Sequence, residues 1–255
     1  MLIVISSSKI LNIKSQDILN EHSLPYFTNQ SERLIEVLRK LKPREIAELL
    51  SINPSLASLN CERYAKWHLP FTPENAKQAI LTFKGEVYNG LKAWTMFPKD
   101  LTYAQNHLRI ISGLYGLIRP FDLIQPYRLE MGIKLKTKEA SNLYQFWGDS
   151  VTQKLNEALK PMKRPVLINL ASAEYFKVVN LKLLAAPIIT PEFLDTKNGN
   201  YQPIVVYLKK ARGMLSRFII QNQLTDIEDI KGFDEEGYIF NHRLSKGNHW
   251  VFTRG

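Results

Sequence analysis

Residues 2–6, Leu-Ile-Val-Ile-Ser, are apolar at successive positions, and this run narrows the fold more than any other feature. A strand sends its side chains alternately to two faces, so an unbroken apolar run needs cover on both. That predicts a central strand in a sheet flanked by other layers. "PVLINLAS" (165–172) and "APIITPEFL" (186–194) also read as strands. In "LDTKNGNYQPIVVYL", Asn198-Gly199 supplies a hairpin turn. "EGYIFNHR" and "HWVFTR" are expected to pair around Lys246-Gly247-Asn248.

Helical signals fill the interval between these strands. Ser31 is positioned to cap a helix whose Leu34, Ile35, Leu38 and Leu41 share one face. Pro43 opens a second helix through about Leu50, and Pro54 a third behind Asn53. Thr72-Pro73 predicts a longer helix with Ala76, Ala79, Ile80, Phe83, Val87 and Leu91 on one side. Asp100 is expected to cap another, with Leu101, Ala104, Leu108 and Ile111 inward. No repeat or low-complexity linker divides the chain. The fold expected is mixed α/β (α+β): one compact unit over 1–255, with a mixed sheet and a helical middle section.

Several functional classes are set aside by what the chain lacks. No apolar run approaches the roughly 20 residues of a membrane-spanning helix, and no membrane partner is expected. The opening run is short and has no basic residue before it, unlike a signal peptide. Cys61 is the single cysteine, so no intramolecular disulfide forms and a reducing cytoplasm is the expected location. It falls mid-helix as a small hydrophobe, without the resolving thiol that a peroxide sensor uses. His22, His68, His107, His242 and His249 show no metal-ligand spacing, so neither metal nor cofactor is expected. The phosphate-cradling patterns G-x-x-x-x-G-K-[ST] and G-x-G-x-x-G are absent, as is the nucleophile elbow G-x-S-x-G. A monomer is the expected state.

Charge points toward a partner. Lys and Arg number 34 against 24 Asp and Glu, a net +10, which suits a polyanion whose condensed counterions are released on binding. The surplus is concentrated in "YLKKARGMLSRFII" (207–220), which carries Lys209, Lys210, Arg212 and Arg217 and no acid. As a helix it would stack Lys210 over Arg217 and turn Leu208, Leu215, Phe218 and Ile219 inward, although Gly213 weakens it. A solvated face would usually mix signs, and this one does not.

Other polar residues sit in strongly apolar company. Lys9 follows the opening strand after three serines, while Asn169, Ser172, Glu174, Tyr175 and Lys177 follow a later one. Polar groups beyond the carboxyl end of a buried strand commonly build a site, and equally they form turns and caps. Asp149 in "FWGDS" either caps the helix after it or joins such a site. "IISGLYGLIRPFDLIQPYRLEMG" (110–132) crowds glycines, prolines and charges into apolar sequence, as a buried, sharply turning backbone would. It carries Arg119, Arg128 and Glu130, and the last two read equally as part of a site or as a structural ion pair. Lys9, Asp149, Glu174, Tyr175 and Lys177 together form a conceivable acid–base set for an enzyme acting on a small anionic or nucleotide-like substrate.

"TPENAKQAILTFKGEVYNGL", "SGLYGLIRPFDLIQPYRLEMG", "YQFWGD", "KLNEAL", "NLASAEYFK" and "KKARGMLSRFII" together closely resemble the YaaA peroxide-stress family. The resemblance runs from the first strand to about Phe240. It departs at Ser6-Ser7-Ser8-Lys9, where the family usually has Ser-Pro-Ala-Lys, and at Glu86, often Asp. It implies a cytoplasmic protein that helps bacteria survive hydrogen peroxide by limiting iron-driven damage to DNA. It also implies an unusual α/β fold with a basic cleft, a helix-hairpin-helix element, and binding to duplex or branched DNA largely without sequence specificity. Residues 43–67 are the preferred place for the hairpin, with its turn at Ile52-Asn53-Pro54 and with Asn53 and Ser55 as expected DNA contacts. The alternative, the Gly113/Gly116 turn, is stopped by Pro120. The turning stretch is then expected to carry Arg119 and Arg128 into the cleft beside Lys209, Lys210, Arg212 and Arg217.

Overall fold

The computed structural model describes residues 1–13 and 20–255. Strand β1 (Leu2–Ser6) hides Leu2, Ile3, Val4 and Ile5 completely, as its composition demands. A short β2 (Ile10–Leu11) follows. Helix α1 (Thr28–Arg39) begins ahead of the expected cap, so Ser31 lies inside it and its hydroxyl donates to the Phe27 carbonyl. Helices α2 (Pro43–Leu50) and α3 (Pro54–Lys66) start at their two prolines. Cys61 lies half-buried and unpaired on α3.

Asn53 Oδ1 accepts the Leu56 N–H at 2.9 Å, satisfying a donor that the first turn of α3 would otherwise leave open. Asn53→Ala is expected to lower stability by about 1 kcal/mol. A thermal melt unchanged from the parent would show that this cap contributes nothing.

Residues 72–91 correct an expectation. In place of one helix the chain forms β3 (Lys77–Gln78), α4 (Ala79–Thr82), β4 (Phe83–Lys84) and α5 (Glu86–Leu91). Gly85 interrupts the run with a φ of 109°, a conformation strained for any residue with a Cβ. Lys77 pairs with Ile124 and Phe83 with Leu11, so the apolar spacing reflects burial among several neighbours rather than one helical face.

A second correction concerns α6 (Pro98–His107). Asp100 sits two residues inside it and accepts the Phe97 N–H at 3.2 Å. Leu108 and Ile111, expected on this helix, belong to β5 (Leu108–Ser112), which is buried along its length.

Then come β6 (Gly116–Ile118), β7 (Leu123–Ile124), α7 (Leu143–Trp147), α8 (Ser150–Leu159), β8 (Leu167–Asn169) and α9 (Ala173–Phe176). The chain continues through β9 (Ile188–Lys197), β10 (Asn200–Gln202), α10 (Val205–Gln221), β11 (Ile239–Phe240) and β12 (His249–Arg254). Asn198 and Gly199 make the β9–β10 turn with φ of 53° and 75°.

The described residues form an eight-stranded sheet in the order β11-β12-β9-β8-β1-β5-β6, with β10 on β9. The pairs β1–β5, β1–β8, β8–β9 and β9–β12 are parallel, so the fold is mixed α/β as expected. β1 is the reversal point, since the chain leaves it toward β5 on one side and β8 on the other. The carboxyl ends of strands at such a point diverge into a crevice.

Helix α10 crosses α5 at backbone contact. A Cβ on Gly213 would lie 1.8 Å from the Val87 carbonyl oxygen, and one on Gly90 would lie 2.1 Å from that of Lys210. Gly213, which weakens the helix in sequence, is what permits the approach. Among the described residues no helix is long and apolar enough to cross a membrane.

Candidate functional site

The loops leaving β1 and β8 are tied together where that crevice is expected. Ser6 Oγ accepts the Ser172 N–H at 2.9 Å, and the Tyr88 hydroxyl donates to the Ser6 carbonyl at 3.1 Å. Ser7 lies beside the hydroxyls of Tyr127 and Tyr175, and Ser8 Oγ accepts the Ile10 N–H at 3.2 Å.

Above it opens a cleft of about 450 Å³ lined by Ser6 to Ile10, the Lys84-Gly85-Glu86 turn, Glu174, Tyr175, and Lys209 and Arg212 of α10. Burial raises the Tyr88 and Tyr175 phenols well above their usual range and lifts Tyr127 to about 12. They are therefore neutral hydrogen-bonding groups at physiological pH rather than phenolate nucleophiles. Burial also lowers the Arg212 guanidinium.

The acids are held firmly. Glu130 is buried, and its Oε1 takes both Lys9 Nζ at 3.1 Å and Arg128 Nη2 at 3.2 Å. Its Oε2 has no hydrogen-bond partner among the described residues. Glu174 Oε1 accepts the Gly132 N–H at 3.0 Å, and the Glu174 carbonyl accepts the Tyr144 hydroxyl at 2.9 Å.

The structure thus gathers Lys9, Glu174 and Tyr175 of the five acid–base candidates. Lys177 instead sits 5.1 Å from the Tyr144 ring centroid. Asp149 is exposed, precedes α8 without a side-chain capping bond, and accepts the Asn180 amide at 2.9 Å. Neither lines the cleft.

The basic candidates divide in the same way. Lys209 and Arg212 face the cleft. Lys210 is ion-paired with Glu236, a partner from a distant turn. Arg217 donates to the carbonyls of Leu91 and Lys92 at 3.1 and 3.0 Å and to Thr95 Oγ1 at 2.9 Å, closing the carboxyl end of α5. Arg119 pairs with Asp122 at 2.9 Å and lies 4.5 Å over the Tyr26 ring, while Arg128 serves Glu130. Of these two, neither is among the cleft's lining residues. Asn53 is the α3 cap described above, and Ser55 is exposed beside it.

Sequence reasoning missed Lys84, Tyr88 and Tyr127. The "FKGEVY" segment contained the one available signal, a glycine between charges at the break in the helical pattern. No group of three or more His, Cys, Asp or Glu among the described residues is placed to hold a metal ion.

Comparison with known proteins agrees along the chain. Residues 1–244 match the family described as "Peroxide stress protein YaaA". A "UPF0246 protein" of Hahella chejuensis (strain KCTC 2396) is 49% identical over 254 residues, 100% of this chain and 99% of that protein. One from Colwellia psychrerythraea (strain 34H / ATCC BAA-681), also a "UPF0246 protein", is 51% identical over 254 residues with the same coverage. The chain belongs to the peroxide stress protein YaaA family.

Proposed function

We propose that this protein acts in the cytoplasmic response to hydrogen peroxide by binding duplex or branched DNA through its phosphates, limiting iron-driven oxidative damage. The observation that carries this reading is the convergence of Lys9, Lys84, Lys209 and Arg212 on one cleft at the carboxyl edge of the sheet. Lys84 and Lys209 are exposed and carry no ion pair among the described residues, so binding phosphate breaks no internal contact. The α2–α3 hairpin offers the backbone N–H of Ser55, in the first turn of α3, as a second phosphate contact.

The test is fluorescence anisotropy with a short duplex across a salt series. Lys84→Glu with Lys209→Glu should weaken binding about a hundredfold at low salt and flatten the salt slope by about 2. The same variant should lose peroxide survival in cells. A parent protein that ignores DNA at low salt, or a double variant that binds like the parent, defeats the reading.

The cleft also favours a second reading, an enzyme acting on a small anionic or nucleotide-like substrate. Lys9, Glu174 and Tyr175 line one space, and the adjacent Glu130 keeps a buried oxygen without a partner. Turnover or tight binding in a nucleotide and metabolite screen that survives Lys84→Glu/Lys209→Glu would favour it over DNA binding.

A further inference from the structure

A second cavity, of about 920 Å³, opens elsewhere, where β5 follows α6, beside α8 and the segment after α10. Arg109 lines it and is only 6% exposed. Its Nη1 donates to the carbonyls of Gln105 and Leu108 at 2.9 and 2.8 Å, and the Tyr26 hydroxyl lies close to the guanidinium. No carboxylate forms an ion pair with it among the described residues, and Nε has no hydrogen-bond partner. Asp122, the acid nearby, is taken by Arg119.

A buried cation without a counter-ion is costly, and burial lowers this guanidinium accordingly. The remedy within reach is an anion entering the cleft. Further positive charge stands at the rim on Lys154, Lys163 and Arg164. Lys154 is shared with Glu157, and Arg164 is paired only loosely with Asp226, at 4.0 Å. Met162, Ala158 and Leu224 add apolar surface to the lining, together with the Tyr26 ring, over which Lys154 lies at 5.2 Å.

We propose that this cleft is a second ligand site, for a small organic anion. A phosphate or carboxylate head meets the Arg109 guanidinium, and an aromatic or apolar body lies against Tyr26, Met162 and Leu224. The site stands apart from the β1–β8 crevice and shares no lining residue with it.

Protein NMR titrations with phenyl phosphate, benzoate and benzyl alcohol test this. Phenyl phosphate or benzoate should shift the amides of Arg109, Ala158 and Leu224 saturably, leaving those of Ser7 to Lys9 in place. Whichever head binds tighter identifies the natural group. The neutral alcohol should bind at least about tenfold more weakly, and Arg109→Met should lose about tenfold. Should Arg109→Met fail to fold, Lys154→Met with Lys163→Ala reads the same electrostatic contribution from the rim and should weaken binding severalfold. The Lys84→Glu/Lys209→Glu variant should bind phenyl phosphate here unchanged, which separates this site from the DNA reading. Absence of shifts at this cleft with both anions on the order of ten millimolar, equal binding of the alcohol, or undiminished binding by the Arg109 or rim variants overturns the proposal.

Discussion

Gly213→Ala should destabilise the protein by at least about 3 kcal/mol, the upper end of ordinary overpacking and beyond. The added methyl group would stand 1.8 Å from the Val87 carbonyl oxygen, and that obstacle is main chain, which no rotamer change removes. Helix α10 must then move off α5. Lys209 and Arg212 travel with it, away from Lys84 and Gly85, so any ligand of the crevice should be lost together with stability. Gly232→Ala is the control, because nothing lies within 4 Å of the added carbon, and it should stay within about 0.5 kcal/mol. Urea unfolding of the two variants makes the comparison. Equal midpoints would mean that the helices tolerate separation.

Arg128→Met should cost about 3 kcal/mol for a different reason. It removes the more buried of two cations on Glu130 and leaves a carboxylate whose second oxygen already lacks a partner. Lys9 remains on the first oxygen but is largely exposed, so solvent screens its attraction. Arg128→Met with Glu130→Gln should recover part of the loss, because an amide does not carry the stranded charge. Thermal melts of the single and double variants decide between this role and a free, ligand-seeking arginine. A single variant as stable as the parent would return Arg128 to the candidates for phosphate binding.

Elements governed by local chemistry were legible in the sequence. The opening strand, the helices at Pro43 and Pro54 and the Asn198-Gly199 hairpin each carry their own signal, and each is present. Residues 72–91 and 108–112 were not legible, because burial on several sides fills positions that mimic helical spacing. Gly85 and the pairing of β1 with β5 decide them, and pairing is a tertiary fact. The site divides likewise. Lys9, Glu174 and Tyr175 follow buried strands and could be found by that position alone. Lys84 and Tyr127 arrive from separate turns. Lys210 and Arg217 looked free because their partners are remote, a glutamate beyond the helix and carbonyls at the end of α5.

The placement of β1 has a kinetic consequence. Ile3 pairs with Leu108 and Leu2 with Leu167, so both partners lie more than a hundred positions downstream. Closing loops of that length precedes any reward from pairing, which slows folding. Until then the run Leu-Ile-Val-Ile is an unpaired template that another molecule's strand can dock on. Refolding yield should therefore fall as protein concentration rises, and a charge introduced at Ile3 would suppress that aggregation only by forfeiting the sheet's centre.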